Sequence, residues 1–139
     1  MTRRYAIAAL YTKDKRILLQ ERDSHAPGGA AYGFFGGGIE EGETPTQALL
    51  RELHEELEYR PSTYELFVEL SFKDEYRDIQ EFVFACQLPE PLPQFHQHEG
   101  VGRKLFTLRD ARRLSMVGND LLVLDRIAWK LHGKGLMQL

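Results

Sequence analysis

Two spacings of apolar residues alternate along this chain and predict two kinds of element. Short apolar runs bounded by turn residues are typical of β-strands, whereas apolar residues that recur every three or four positions are typical of amphipathic helices. The predicted strands are YAIAALYT, RILLQER, a short strand at most in YGFFGGG, YELFVELSFK, IQEFVFACQL and RKLFTL. A glycine-rich turn is expected at residues 36–38, and loops are expected over DSHAPGGAAYG and PEPLPQFHQHEGVG.

The helical pattern is strongest between Pro45 and about Glu58. Thr44 suits the N-cap, Pro45 suits the first helical position, and Gln47 completes a capping box. Three leucines recur every four residues and predict one buried stripe: Leu49, Leu53 and Leu57. RDARRL and the segment from Asn119 to about His132 are two further predicted helices.

The order of these elements predicts the architecture. Strands and helices interleave without a linker, a repeat or a low-complexity segment, which favours an α/β or α+β fold. A chain of 139 residues fits one domain. We therefore expect a single domain over residues 1–139 that contains a mixed sheet, with helix 45–58 on one face and helix 119–132 on the other.

Composition and charge exclude several classes of protein. Apolar residues make up 42% of the chain and charged residues 28%, as in an ordinary globular domain. The formal net charge of −3 supplies no overall basic field for a nucleic-acid polymer. Cys86 is the single cysteine, so an internal disulfide and a thiolate zinc site are both excluded. The apolar run from Tyr5 to Tyr11 is too short for a membrane span, and a cytoplasmic location is expected.

Three acidic residues of the predicted helix lie close together. At 100° per residue, Glu52, Glu55 and Glu56 fall within about 100° of each other, beside the leucine stripe. Carboxylates half withdrawn from water repel strongly, and a divalent cation relieves that repulsion. Ligands that are all oxygen suit a hard ion such as Mg²⁺ or Mn²⁺. A solvated face with the ion pairs Arg51–Glu55 and Glu56–Arg60 is the alternative interpretation.

The segment Gly36 to Tyr59 resembles the signature of the Nudix hydrolases, G-x5-E-x7-R-E-U-x-E-E-x-G-U, in which U is a bulky aliphatic residue. Seven positions match it in register: Gly37, Glu43, Arg51, Glu52, Leu53, Glu55 and Glu56. Three positions depart from the family pattern, namely Glu58 for its glycine, Tyr59 for its last aliphatic residue and Phe35 for a proline common before the glycines. None of these departures removes a carboxylate. Because glycine favours a left-handed helix exit, we expect Glu58 to cost about 1 kcal/mol there.

The resemblance implies a fold and a reaction. The expected fold is an α/β/α sandwich, and the expected reaction is metal-dependent hydrolysis of a pyrophosphate bond in a nucleoside diphosphate derivative. A nucleoside triphosphate, in normal or oxidised form, is the first expected substrate, giving a nucleoside monophosphate and pyrophosphate. Dinucleoside polyphosphates, nucleotide sugars and ADP-ribose are alternative substrates. A nucleotide-binding module without activity and a structural calcium site are alternatives of other classes.

The resemblance also implies roles for individual residues. Glu52, Glu55, Glu56 and the Gly36 carbonyl are expected to bind Mg²⁺, with Mn²⁺ as a substitute. Glu43 and Arg51 are expected to form the ion pair that holds the preceding loop on the helix.

Two further residues outside the signature are candidates. Glu99 lies in a glycine-flanked loop and is expected to accept the proton from water, with Glu55 as the alternative; an exposed loop acid is the plain interpretation of Glu99. Arg22 ends the second strand and is a candidate phosphate ligand or a simple strand-end charge. His96 and His98 are expected to lie outside the site.

The remaining expectations concern the ligand. Three aromatic residues are candidates for stacking on a base, although core packing is the more common use of such a run: Tyr32, Phe34 and Phe35. The expected partner is a small nucleotide rather than a nucleic-acid polymer or a membrane. The sequence leaves open whether the protein is a monomer or a homodimer.

Overall fold

The computed structural model describes residues 1–23, 31–116 and 118–139. Its strands are Thr2–Tyr11 (β1), Arg16–Glu21 (β2), Tyr32–Gly33 (β3), Phe35–Gly38 (β4), Glu65–Lys73 (β5), Asp78–Gln87 (β6) and Gly102–Thr107 (β7). Its helices are Pro45–Leu57 (α1), Leu108–Ala111 (α2), Asp120–His132 (α3) and a short 3-10 helix, Leu136–Gln138. Residues 24–30, within the first predicted loop, lie outside the described residues.

The strands form one mixed sheet, as predicted. Strand β1 runs parallel to β6 along its whole length and pairs antiparallel with β4 and with the start of β2. Strand β2 pairs antiparallel with β3 and β7, and β5 pairs antiparallel with β6. This arrangement places β1 in the middle of the sheet, with β4 alongside its central residues, Tyr5 to Ala8.

The two long helices cover opposite faces of the sheet, which confirms the predicted layers. Alternate residues of a strand point to opposite faces, and β1 follows this rule. Ala6, Ala8 and Leu10 belong to the core beneath α1, whereas Ala9 belongs to the core beneath α3. The predicted leucine stripe of α1 is fully buried in the first of these cores.

Helix α1 begins and ends where the sequence predicts. The Thr44 hydroxyl accepts a hydrogen bond from the Gln47 main-chain N–H, and the Gln47 side chain accepts one from the Thr44 main-chain N–H. At the other end Glu58 takes up a left-handed conformation with φ of 51°. The exit therefore stays at the position of the missing glycine and carries the conformational cost of a residue with a side chain.

The predicted glycine-rich turn is wrong, because residues 36–38 form part of strand β4. Gly36, Gly37 and Gly38 pair with Ile7, Ala6 and Tyr5 of β1. Gly36 has φ of +130°, and a Cβ atom there would lie 2.2 Å from the Ala6 carbonyl oxygen. Glycine at this position lets β4 approach β1 closely. Within the described ranges, no helix combines the length and apolar character that a membrane span requires.

Candidate active site

Helix α1 lies against β4, so its acidic edge faces the glycines of that strand. The capping box fixes where the helix starts, and the buried leucines fix its rotation about its own axis. Together they determine which side chains of α1 reach the sheet. Arg51, Glu52 and Glu56 point toward this junction, while Glu55 lies farther out in solvent.

Arg51 connects the helix to the loop before it. Its Nε donates to Glu43 Oε2 over 2.7 Å and its Nη2 to Glu43 Oε1 over 2.9 Å, which is a bidentate pair. The same Nη2 also donates to the Gly38 carbonyl oxygen over 2.9 Å. The Arg51 hydrogen bond lowers the pKa of Glu43 to about 2, so Glu43 stays ionised. The contact expected between Glu43 and Arg51 is therefore present.

Arg51 also holds two of the candidate metal ligands. Its Nη1 lies 2.9 Å from Glu52 Oε1 and 3.3 Å from Glu55 Oε2. Burial raises the pKa of Glu52, and the Arg51 charge opposes that effect. The ion pair Arg51–Glu55 foreseen by the alternative interpretation is thus present, whereas Glu56 is buried and bonded elsewhere.

Gly37 makes room for the Glu52 carboxylate. A Cβ atom at Gly37 would lie 2.5 Å from Glu52 Cδ and within 2.7 Å of both carboxylate oxygens. Such distances are shorter than van der Waals contact, so a side chain at this position would displace the carboxylate. The first glycine of the signature therefore has a direct steric function in placing an acidic side chain.

We expect Gly37→Ala to lower the turnover of the hydrolysis that the signature implies by about tenfold or more. A displacement of about 1 Å at a reacting centre can lower the rate about a hundredfold. Gly38→Ala is the matched control. A Cβ atom at Gly38 would meet only Arg3 Nη2, at 3.9 Å. Turnover of the two variants, measured alongside their melting temperatures, checks this expectation. Equal losses in both variants would show that β4 tolerates no alanine at all and would remove the role given to Gly37.

Glu56 is the buried acid of the group, with 3% of its surface exposed. Its Oε1 accepts a hydrogen bond of 2.8 Å from the Gly36 main-chain N–H. Its Oε2 is buried and has no hydrogen-bond donor among the described residues. Burial, and then the neighbouring Glu99 carboxyl, raise the pKa of Glu56 well above the usual range. Two acids that approach each other in this way need either a shared proton or a cation between them.

The loop that carries Glu99 is attached to both α1 and β2. The main-chain N–H groups of His96 and His98 donate to the carbonyl oxygens of Leu57 and Glu56, over 3.1 and 2.7 Å. The Val101 N–H donates to the Glu21 carbonyl over 2.9 Å. In this structure the Glu99 carboxyl already lies beside Glu56, so the two acids are close together without any movement of the loop.

The structure also shows where His98 and the three aromatic candidates lie. His98 Nε2 lies 2.7 Å from Glu58 Oε2 at the helix exit. Phe35 is fully buried in the core beneath α1, and Tyr32 packs edge-on against Phe106. Of the three aromatic candidates, only Phe34 lines the cavity described next.

A cavity of about 250 Å³ opens beside β4, on the face of the sheet that α3 covers. Arg22 and Glu99 both line it, together with Gly36 and Gly37. Its remaining lining residues are Tyr5, Ile7, Gln20, Gly33, Phe34 and Asp120. The cavity therefore joins an apolar and aromatic wall to the glycines that contact the acidic helix.

Sequence reasoning missed Asp120, the first residue of α3. Burial, and then the neighbouring Glu81 carboxyl, raise its pKa to about 7. A carboxyl with such a pKa near neutral pH can donate as well as accept hydrogen bonds. The acid in the first turn of a predicted helix was visible in the sequence, but its position on the cavity depends on the packing of α3 against the sheet.

The predicted convergence of the metal ligands is not met in this arrangement. Among the described residues, no three His, Cys, Asp or Glu side chains form a group that could hold a metal ion. Glu52 and Glu55 are instead held by Arg51. The chemistry of the donors still fits a hard cation, because all are oxygens and the buried Glu56 Oε2 has no donor among the described residues. A cation would compete with Arg51 for Glu52 and Glu55.

Comparison with known proteins agrees with this fold. A family model described as the NUDIX domain matches residues 1–126. The chain belongs to the Nudix family.

Curated relatives match over part of their length. The chain is 35% identical over 68 residues to an 8-oxo-dGTP diphosphatase of Escherichia coli, covering 49% of this chain and 53% of that protein. It is 37% identical over 81 residues to an RNA pyrophosphohydrolase of Francisella tularensis subsp. mediasiatica, covering 58% of this chain and 48% of that protein. The match thus spans about half the length of these relatives.

Solved structures share the fold. A structure reported for MutT from Aliivibrio salmonicida and Vibrio cholerae superposes with a TM-score of 0.74 at 20% identity, covering 94% of this chain and 100% of that chain. The NUDIX domain of Shewanella oneidensis NrtR, crystallised with ADP ribose, superposes with a TM-score of 0.76 at 21% identity, covering 94% of this chain and 89% of that chain.

Proposed function

We propose that this chain is a hydrolase that uses a divalent cation, Mg²⁺ or Mn²⁺, to cleave the pyrophosphate bond of a nucleoside triphosphate into a nucleoside monophosphate and pyrophosphate. The observation that carries the proposal is the position of Glu56. A buried carboxylate oxygen without a donor lies beside Gly36, next to a cavity that Arg22 and Glu99 also line. Buried acids with shifted pKa values that face a cavity are typical of catalytic sites.

The metal ligands in this proposal are Glu52, Glu55, Glu56 and the Gly36 carbonyl. A bound divalent cation supplies neutralising charge to the phosphate groups and lowers the pKa of coordinated water. Glu43 and Arg51 position these ligands, because Arg51 contacts both the loop carboxylate and the Gly38 carbonyl. Arg22 supplies positive charge for the phosphate chain at the cavity.

The reaction adds water across one phosphoanhydride bond. The water oxygen bonds to one of the two phosphorus atoms of the α–β anhydride, the bond from that phosphorus to the bridging oxygen breaks, and the nucleoside monophosphate and pyrophosphate separate. Glu99 is the first candidate to accept the proton of water, because its carboxyl lies beside Glu56 at the edge of the cavity. If a bound cation neutralised Glu56, the Glu99 carboxylate would be available to take the proton of water. Glu55 is the alternative base.

Glu99→Gln is expected to lower turnover by about 10²–10⁴, the usual effect of losing a general base, while the Mg²⁺ dependence changes little. Glu55→Gln is expected to weaken Mg²⁺ binding and turnover together. Side-by-side Mg²⁺ titrations of turnover measure both effects. A loss of less than about threefold in Glu99→Gln, within the range of surface changes, would move the base to Glu55.

Nucleotides are favoured as substrates by the cavity and by the relatives. Phe34 and Tyr5 offer apolar surface to a base, and Asp120 offers a carboxyl that can donate or accept hydrogen bonds. The curated relatives are named 8-oxo-dGTP diphosphatase, RNA pyrophosphohydrolase and CTP pyrophosphohydrolase. We place this chain with the small nucleoside triphosphates among them, whether normal or oxidised.

A substrate panel tests this choice. Release of pyrophosphate from 8-oxo-dGTP, dGTP, CTP and ATP is compared with cleavage of triphosphorylated RNA, ADP-ribose and a dinucleoside tetraphosphate, each with Mg²⁺ and with EDTA. The proposal expects the highest kcat/KM for a nucleoside triphosphate and no turnover in EDTA. Preferred cleavage of ADP-ribose or of RNA would show that this compound, and not a nucleoside triphosphate, is the substrate. Tight binding without cleavage would indicate a nucleotide-binding module.

A further inference from the structure

Positive charge accumulates at the end of the paired strands β2 and β7 that is farthest from the candidate active site. Residues 12–16, 107–113 and 132–139 meet there and contain seven Lys or Arg and two Asp, in a chain whose formal net charge is −3. The pairing of Arg16 with Thr107 marks this end of the strand pair, and the pairing of Glu21 with Gly102 marks the end near the carboxylates. At about 3.3 Å per residue the two ends lie roughly 17 Å apart.

A cavity of about 330 Å³ lies among these three segments. Lys15, Arg109, His132 and Lys134 line it, and the one acidic side chain in its lining is Asp14. The Asp14 carboxylate is already engaged, because it accepts hydrogen bonds from the Thr12 hydroxyl and from Arg16 Nε. Within residues 1–23, 31–116 and 118–139, no ion pair with a carboxylate compensates Lys15, Arg109 or Lys134.

Lys15 adopts a left-handed backbone conformation, which is unfavourable for a residue with a side chain. Its φ is 66°, in a turn closed by hydrogen bonds between Lys15 N–H and the Thr12 carbonyl and between Thr12 N–H and the Arg16 carbonyl. Glycine or asparagine is the usual residue at such a position in a short hairpin loop. Strained backbone positions of this kind cluster at functional sites, so the Lys15 side chain is a candidate for ligand binding.

The two lysines of the cavity act on the same neighbour. Desolvation, and then the charges of Lys15 and Lys134, lower the pKa of His132. The lysines of two separate segments, the β1–β2 turn and the residues after α3, therefore lie close enough to repel a third positive charge. Like charges held together on a folded surface are stabilised by an anion between them.

We propose that this cavity is a second anion site that binds a polyphosphate group, either as free pyrophosphate or as the phosphate chain of a nucleotide. Its volume falls within the range of small-ligand pockets. Lys15 and Lys134 supply mobile point charges, and Arg109 supplies a planar donor that suits phosphate oxygens. The site is separate from the carboxylate cluster, so this proposal does not depend on the hydrolytic activity.

Binding in EDTA tests the proposal, because without a divalent cation the carboxylate cluster repels phosphate. Isothermal titration with pyrophosphate, and separately with ATP, is combined with a backbone-amide chemical-shift map of the protein. We expect saturable pyrophosphate binding that weakens with salt, with shifts at Lys15, Thr107 and Lys134 and none at Gly37 and Glu52. Binding of ATP with equal affinity would identify the phosphate chain as the ligand, and weaker ATP binding would identify free pyrophosphate.

Three variants make the result specific. Lys134→Glu is expected to weaken pyrophosphate binding at least tenfold, whereas Lys73→Glu, the same charge change on exposed β5, leaves it unchanged. Lys15→Gly is expected to raise the melting temperature, by relieving the backbone conformation, and yet to weaken binding. Absence of saturable binding, equal losses in Lys134→Glu and Lys73→Glu, or shifts that map to Gly37 and Glu52 would each overturn the proposal.

Discussion

Glu56→Gln is expected to raise the melting temperature of the metal-free protein at pH 8 by about 3 °C or more, while lowering turnover at least about 100-fold. The stabilisation follows from the raised pKa of Glu56, which burial and then Glu99 produce. A folded-state pKa above the unfolded value means that stability is highest at low pH and falls as pH rises past the ordinary glutamate range. Glutamine keeps the hydrogen bond from Gly36 N–H and removes the ionisation.

The loss of turnover in the same variant follows from the proposed cation. A bound divalent ion contributes several kcal/mol of transition-state charge stabilisation, and about 1.4 kcal/mol corresponds to a factor of ten in rate. Glutamine offers a neutral oxygen where the cation needs a charged one. Opposite effects on stability and activity in one variant are expected of a residue retained for function.

Differential scanning calorimetry in EDTA at pH 5 and pH 8, together with turnover in Mg²⁺, measures both effects. The stabilisation is expected to be larger at pH 8 than at pH 5. Glu41→Gln is the matched control, because Glu41 is exposed and lies in the loop before α1. A lower melting temperature for Glu56→Gln at both pH values, in EDTA, would contradict the assigned ionisation cost.

Arg51→Lys is expected to lower both the melting temperature, by about 3 °C or more, and turnover, by about tenfold or more. Arg51 makes a bidentate pair with Glu43 and also contacts Glu52 and the Gly38 carbonyl. Lysine keeps the charge but cannot supply this set of planar donors at once. The Glu43 loop and the half-buried Glu52 would each lose hydrogen bonds, so the variant should lose stability as well as ligand placement.

Arg60→Lys is the control for this change, because Arg60 is exposed just beyond α1 and is expected to tolerate lysine. The two variants are compared by thermal unfolding and by the Mg²⁺ concentration needed for half-maximal turnover. A fall in stability without any change in Mg²⁺ requirement would limit Arg51 to holding the loop. No change in either quantity would contradict the role given to the ion pair.

The sequence predicted most of the fold because its helix signals are local. Thr44, Pro45 and Gln47 specify where α1 starts, and the leucine stripe specifies its buried side. The glycines were misassigned because a strand of glycines carries no apolar alternation. Their pairing with β1 depends on residues about thirty positions earlier in the chain. Gly36 needs its φ of +130° within a strand rather than within a turn.

The candidate site was predictable in composition and less so in geometry. The signature identified Glu43, Arg51, Glu52, Glu55 and Glu56, and helical spacing placed the last three on one side. It did not indicate that Arg51 would also hold Glu52, or that Glu56 alone would be deeply buried. Asp120 could not be found, because its place on the cavity results from the docking of α3 on the far face of the sheet.

The measurement that tests the central claim most directly is a Mg²⁺ titration followed in two ways on the same protein, by melting temperature without nucleotide and by pyrophosphate release from a nucleoside triphosphate. We expect the melting temperature to rise with Mg²⁺, because the cation relieves the repulsion among Glu52, Glu56 and Glu99. Turnover should appear over the same range and be absent in EDTA, and Glu56→Gln should show neither response. A melting temperature that does not change with Mg²⁺, or full turnover in EDTA, would contradict the account.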